Sequence, residues 1–224
     1  MGGIGGIRRS VALFGVCAGL AACMGSGEAE VDAPAPDRTE VSLAERYDAA
    51  TEMSDRVQFR ASSVGPTTMA RLPRGGASYE GHAGFVTAAD DDALEQLLDR
   101  DLVPEDVRWI SSVTLTADFE RDTINAQFDD FVGQRNTPVA GTLRMPQTAI
   151  RAEPGGNAAT FSGSLRGTLT DADGPVVIAG DTQGVLVGNE AEAVLGEVMG
   201  TATRPDAPED TLPESLGGIF FGER

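Results

Sequence analysis

The stretch 178–201, IAGDTQGVLVGNEAEAVLGEVMGT, restricts the fold more than any other part of the chain, because its glycines recur among β-branched and aliphatic residues without helical spacing. It reads as a strand, a connection and a returning strand. Alternation in the first arm puts Ile178, Gly180, Thr182, Gly184 and Leu186 on one face and Ala179, Asp181, Gln183, Val185 and Val187 on the other. Glycines inside strands mark bends or close backbone approaches, which a sheet needs in order to curl and close on itself.

The same period of two runs through much of the chain. Residues 77–87 put Tyr79, Gly81, Ala83 and Phe85 on one face, and 108–119 put Val113, Leu115, Ala117 and Phe119 inward against outward Ser112, Thr114, Thr116 and Asp118. Residues 123–131 return after the turn Glu120-Arg121-Asp122, and 138–145 supply another strand. After the turn at 153–157, residues 158–170 place Phe161, Gly163, Leu165, Gly167 and Leu169 together, and Asp171-Ala172-Asp173-Gly174 is a hairpin turn. Residues 205–213 read as an acidic linker and 216–221 as an apolar closing segment that plugs or edges the sheet.

Helical spacing is confined to short pieces. Leu43, Tyr47, Ala50 and Met53 define an amphipathic helix over 42–54, with Ser42 as cap and Glu45 completing a capping box. Residues 57–61 read as a first short strand, and Pro and Gly between 65 and 76 mark a loop. A helical turn or two is expected over 90–99, with Asp92 as cap and Leu94, Leu97 and Leu98 as the buried stripe. Capping also accounts for the acidic trio Asp90-Asp91-Asp92, since no further calcium ligands follow at loop spacing.

Seven or eight strands at hairpin spacing with little helix between them predict an all-β fold, an antiparallel barrel or a sandwich, and the small-large alternation and strand glycines favour a single antiparallel eight-stranded β-barrel with short flanking helices. The outward Ser, Thr, Asp and Arg exclude a lipid-facing barrel, which needs an apolar outer band. A barrel of this size is filled by side chains or holds one small ligand.

The seventeen basic residues are all Arg against 35 acids, a formal charge of −18, which argues against nucleic acid as a partner. Both cysteines, Cys17 and Cys23, precede the strands, so the folded part has no disulfide or thiolate metal site. Residues 1–22 combine Arg8 and Arg9 with an apolar run from Val11 to Ala22, which is a signal peptide too short to span a bilayer. Leu20-Ala21-Ala22-Cys23 resembles the lipobox of bacterial lipoproteins. That resemblance implies cleavage before Cys23, acylation of Cys23, and, with Met24 rather than Asp following, delivery to the outer membrane. Residues 23–41 then form a lipid-anchored acidic tether, disordered for lack of apolar residues, with a reach of about 25 Å. Residues 42–76 are an N-terminal helix and loop, and 77–224 the barrel domain.

Ala117-Asp118-Phe119, Thr123-Ile124 with Phe128, and Phe161-Ser162-Gly163 with Leu165 and Gly167 resemble the β-barrel domain of transferrin-binding protein B and related surface lipoproteins. The likeness is best at Gly180, Gly184, Gly188, Ala191, Glu192 and Gly196. Leu186 and Val187 stand where that family has aromatics, and there is no second lobe. The resemblance implies an outer-membrane-anchored, non-catalytic binding module for a solute or protein, with a link to iron or haem capture. A structural envelope lipoprotein with no small-molecule ligand is the alternative. The residues offer an enzyme no catalytic constellation, and no cofactor is expected. The candidate ligand residues are Tyr79 and His82, the latter the one histidine of the chain, because phenolate and imidazole are both axial haem donors. Trp109 is expected to pack at a barrel end.

Overall fold

The computed structural model describes residues 42–208 and 210–224. The leader, Cys23 and the tether lie outside the described residues. Eight strands, β1 Gly76–Ala88, β2 Trp109–Asp118, β3 Thr123–Gly133, β4 Thr137–Ala152, β5 Ala159–Asp171, β6 Gly174–Val187, β7 Ala193–Thr203 and β8 Glu214–Glu223, pair in chain order and close into a barrel. All pairings are antiparallel, and β8 completes the circle against β1 with Phe220 opposite Ala83 and Leu216 opposite Thr87. The apolar closing segment is thus the last stave rather than a plug. Pro138 to Met145 is the first half of a longer strand that bends at irregular register before Ile150.

The inward faces match the alternation in the sequence. Ile178, Thr182 and Leu186 are buried on β6, and Val113, Leu115 and Ala117 on β2. The lumen is filled. Phe128 meets Phe85 at 5.9 Å between ring centroids and Phe220 at 5.6 Å, both edge to face, and Phe220 lies 6.4 Å from Phe161. Large rings sit opposite glycines in the register: Phe161 opposite Gly184, Phe220 opposite Gly196, Phe85 opposite Gly218. A β-carbon at Gly184 would fall 2.2 Å from Cζ of Phe161 and one at Gly196 2.1 Å from Cζ of Phe220. These glycines make room for neighbouring rings. Others let strands approach closely, as at Gly81, where a β-carbon would lie 1.8 Å from the carbonyl oxygen of Phe221.

Helix α1, Leu43–Ser63, lies outside the barrel and contacts β1, β8 and β2. Its capping box at Ser42 and Glu45 is formed. The helix does not stop at Ser54, and 57–61 is not a strand. Leu43, Tyr47, Ala50, Ser54 and Val57 are buried at spacings of four and three, so the helical period runs through Val57, which packs on Val187, Ala193 and Phe221 of the outer wall. Helix α2, Asp91–Leu98, is capped by Asp90, not Asp92: the Asp90 carboxylate accepts from Ala93 N–H at 2.8 Å, leaving Asp91 and Asp92 in the first turn where their charge favours the helix dipole. Leu94 of α2 is buried with Val86 and Leu102.

Candidate functional site

Between the two helices and the barrel wall runs a crevice of about 200 Å³. Its floor follows from the register of the outward residues. His82 lies beside Phe221, Gly84 beside Ile219 and Ile110, and Val86 beside Gly217. Across Ile219 and Gly217 stand Glu197 and Met199 of β7. Tyr47 and Ala50 of α1, Leu98 of α2, and Leu102 and Val107 from the connection that follows make the roof. The sequence builds it locally: α1 turns its buried stripe to the wall, and Tyr47 pins the roof by donating from Oη to the Leu102 carbonyl at 2.7 Å. Gly84 leaves the floor bare, since a β-carbon there would meet no heavy atom within 4 Å.

His82 marks the polar end. Its Nδ1 is sealed from solvent and has no hydrogen-bond partner among the described residues. Burial holds the imidazole below its usual pKa, and the Arg46 and Arg56 cations on α1 push the same way, so the ring is neutral at physiological pH. Arg46 pairs with Asp130 and Arg56 with Glu223, and Nε of Arg46 is also buried without a hydrogen-bond partner among the described residues. Unsatisfied buried donors are uncommon in folded proteins. Nε of Arg60 and Oγ of Ser111 are likewise buried without a partner among the described residues, and of these groups only His82 lines the crevice.

Tyr79 is not part of it. Three positions along β1 reverse the face, so Tyr79 is inside the barrel and His82 outside, with the wall between them. The Tyr79 phenol is fully buried and donates to the Ala191 carbonyl at 2.8 Å. Burial pushes its pKa up to about 12, Glu192 adding to the rise and Arg224 opposing it, so it is a neutral phenol with a structural hydrogen bond and no open coordination position. The two residues cannot bind one haem. Cys23 lies outside the described residues.

A larger cleft, about 400 Å³, opens at one barrel mouth beside Trp109. Trp109 is buried and its ring carries the Arg108 guanidinium 4.4 Å from the centroid, which places it at a barrel end as its sequence setting suggests. Several of the charges here pair with one another. Arg108 bonds Thr87 Oγ1 at 2.8 Å, contacts Glu214 and lies 3.7 Å from Asp171, while Arg204 grips Asp171 with two bonds of 2.7 and 3.1 Å. Burial alone would raise the Asp171 pKa, but the Arg204 hydrogen bond, the Asp173 N–H and the two guanidinium charges outweigh it and hold the carboxyl below its ordinary range. The mouth reads as a latch. The crevice holds one buried polar atom without a partner among the described residues, His82 Nδ1.

Among the described residues no group of three or more His, Cys, Asp or Glu is placed to hold a metal ion, and no helix is long and apolar enough to cross a membrane. The crevice residues other than His82 escape a strand-by-strand reading because they come from four strands, two helices and a connection. One signal for them was present: Val86, Ile110, Ile219 and Phe221 are apolar at outward positions where an exposed wall is polar. No protein-family model matches this chain, and no curated protein is significantly similar to it.

Proposed function

We propose that the protein is a lipid-anchored, non-catalytic binding module of the outer membrane, tethered by acyl chains on Cys23, that holds a small, mostly apolar solute in the crevice under α1 and α2. The observation that carries this reading is the contrast between a lumen packed with aromatic rings and an exterior crevice with a bare floor at Gly84 and an unpaired buried imidazole nitrogen. The motif Leu20-Ala21-Ala22-Cys23 supports the anchor, and the glycine pattern similar to the barrel of transferrin-binding protein B supports a binding rather than catalytic role. The barrel is then a rigid scaffold, with binding on its outer wall. A haem-capturing version loses support, because Tyr79 and His82 are on opposite sides of the wall and a crevice of about 200 Å³ falls below the ~300–1,000 Å³ of ordinary cofactor sites.

The test uses residues 24–224, which contain every described element and all four apolar clusters. Native mass spectrometry after exposure to cell-envelope extract, hemin and ferric chelates is expected to show a small-molecule adduct from the extract that Gly84→Leu removes. Absence of any adduct would favour the structural envelope lipoprotein instead.

A further inference from the structure

We infer that the crevice takes a short-chain primary alkylammonium, its carbon chain over Gly84 and its ammonium at the edge where Glu197 and Asp99 stand. This rests on the reading of the crevice as the ligand site. Size comes first. At the ~30 Å³ that one water takes in the liquid, a volume of about 200 Å³ equals roughly six water-sized groups. A butylammonium ion, four carbons and a nitrogen, fits within that, and long alkyl chains and fused rings exceed it. The middle of the crevice is carbon: Val86, Leu102, Val107, Ile110 and Ile219 line it around the bare glycine, and burying an apolar chain there is favourable.

The lining sets the sign of the headgroup. Its charged side chains are two carboxylates: Glu197, on β7 beside Ile219, and Asp99, which caps the C-terminus of α2 next to Leu98. Both are exposed, and neither carboxylate has a hydrogen bond or ion pair among the described residues. Arg100, the neighbour of Asp99, is engaged by Asp106 at 2.5 Å. The last turn of α2 carries no basic residue, so the negative end of the helix dipole adds to the Asp99 charge. His82 brings no compensating cation, because its imidazole is neutral, and the α1 arginines that act on it lie outside the lining, held by Asp130 and Glu223. A carboxylate only accepts hydrogen bonds, so two of them without donors call for a cation that bears N–H groups. An anionic ligand would set like charge against both. Other exposed acids share the field of a chain with formal charge −18; this pair differs in bordering an apolar crevice that holds the rest of an amine.

The experiment titrates residues 24–224 with butylammonium, 1-butanol, butyrate and tetramethylammonium, followed by the imidazole NMR signal of His82, which lines the crevice and is the only histidine of the chain. Butylammonium is expected to saturate the shift one to one, roughly tenfold tighter than butanol, the difference one charge-assisted hydrogen bond makes, with butyrate weaker still. Added salt is expected to weaken butylammonium and leave butanol unchanged. Glu197→Gln combined with Asp99→Asn is expected to bring butylammonium down to the affinity of butanol while butanol binding persists, which shows that the crevice is still folded. Gly84→Leu is expected to abolish both. Butanol or butyrate binding as tightly as butylammonium, or butylammonium unaffected by the loss of both carboxylates, would overturn the amine and leave the crevice in place. Tetramethylammonium binding equally well would overturn the N–H donors. An extract adduct lost in Gly84→Leu with no butylammonium binding would refute the ligand class alone. Butylammonium binding untouched by Gly84→Leu, or neither binding nor adduct, would sink both readings.

Discussion

The pairing of large rings with strand glycines makes a sharp prediction at Gly184 and Phe161. The two are directly opposed between β5 and β6, and the three atoms nearest a β-carbon at Gly184 are Cζ, Cε1 and Cε2 of Phe161, at 2.2, 2.6 and 2.9 Å. All three belong to one side chain. Gly184 has no positive φ, so alanine fits the backbone and would restrict the unfolded chain, a gain of about 0.4–1 kcal/mol. Against that, forcing the Phe161 ring off its site in a close-packed lumen costs about 1–3 kcal/mol. Gly184→Ala alone is therefore expected to destabilise by roughly 0.5–2 kcal/mol. Phe161→Leu alone leaves a partial cavity and is expected to cost about 1–2 kcal/mol, less than the ~3–5 of a truncation to alanine. In the double variant the clash is gone and the new methyl fills part of the cavity, so it should be no less stable than Phe161→Leu, a coupling of about 1–3 kcal/mol. Urea unfolding followed by the fluorescence of Trp109, the sole and fully buried tryptophan, measures all four corners of the cycle. Gly200→Ala is the control, since its β-carbon would strike backbone, the Ala179 oxygen at 2.3 Å and the Gly180 Cα at 2.4 Å, which no side-chain truncation relieves. Additive costs at Gly184 and Phe161, within about 0.5 kcal/mol, would refute the reasoning and mean that the backbone rather than the ring requires glycine there.

Three further outcomes follow from the same geometry. Because the folded pKa of His82 lies below the ordinary 6.5, through burial first and the Arg46 and Arg56 charges second, the unfolded chain takes up the proton more readily. The contribution is full above the unfolded pKa and is lost as pH falls through 6.5 toward the folded value; urea midpoints across that window should decline in the parent and less in His82→Phe, and identical slopes would exclude His82 as their cause. Asp171→Asn at the barrel mouth removes charge from the Arg204 bonds and is expected to cost about 1–3 kcal/mol at neutral pH. Since the Asp171 pKa is held below 3.8, its contribution persists above that value and disappears only as pH falls through the lower folded pKa; unchanged neutral-pH stability in the variant would show the latch to be idle. Val57→Ala strips two methyl groups from the α1 contact with Val187 and Phe221 and should cost about 1.5–3 kcal/mol, with amide exchange faster in α1 than in the barrel; equal acceleration everywhere would mean that α1 and the barrel unfold as one unit.

What could be read from the chain divides along the wall of the barrel. The inward set was legible because closure imposes a strict period of two, and residues such as Leu165, Leu169 and Ile178 have no other neighbours than the lumen. Even the errors keep to that logic. Val57 reads as a strand only where the helical period is cut at Ser54; carried on by one more step of three, it joins the buried stripe that α1 presents to β8. The outer wall was legible only as polarity, and polarity fails where a helix lies across it. Tyr79 and His82 show the cost of that: close in sequence and in a glycine-rich strand, they suggested a shared ligand, although an odd separation along a strand puts residues on opposite faces. The crevice depends on which outward residues α1 and α2 cover, and that choice is made by contacts such as the Tyr47 bond to Leu102, 55 residues apart in the chain. Outward apolar residues on β1, β2 and β8 are the trace such a cover leaves in a sequence. Gly84, bare among them, is the position where the cover and the wall fail to meet, and for that reason it is the residue whose enlargement best separates a ligand site from a packing defect.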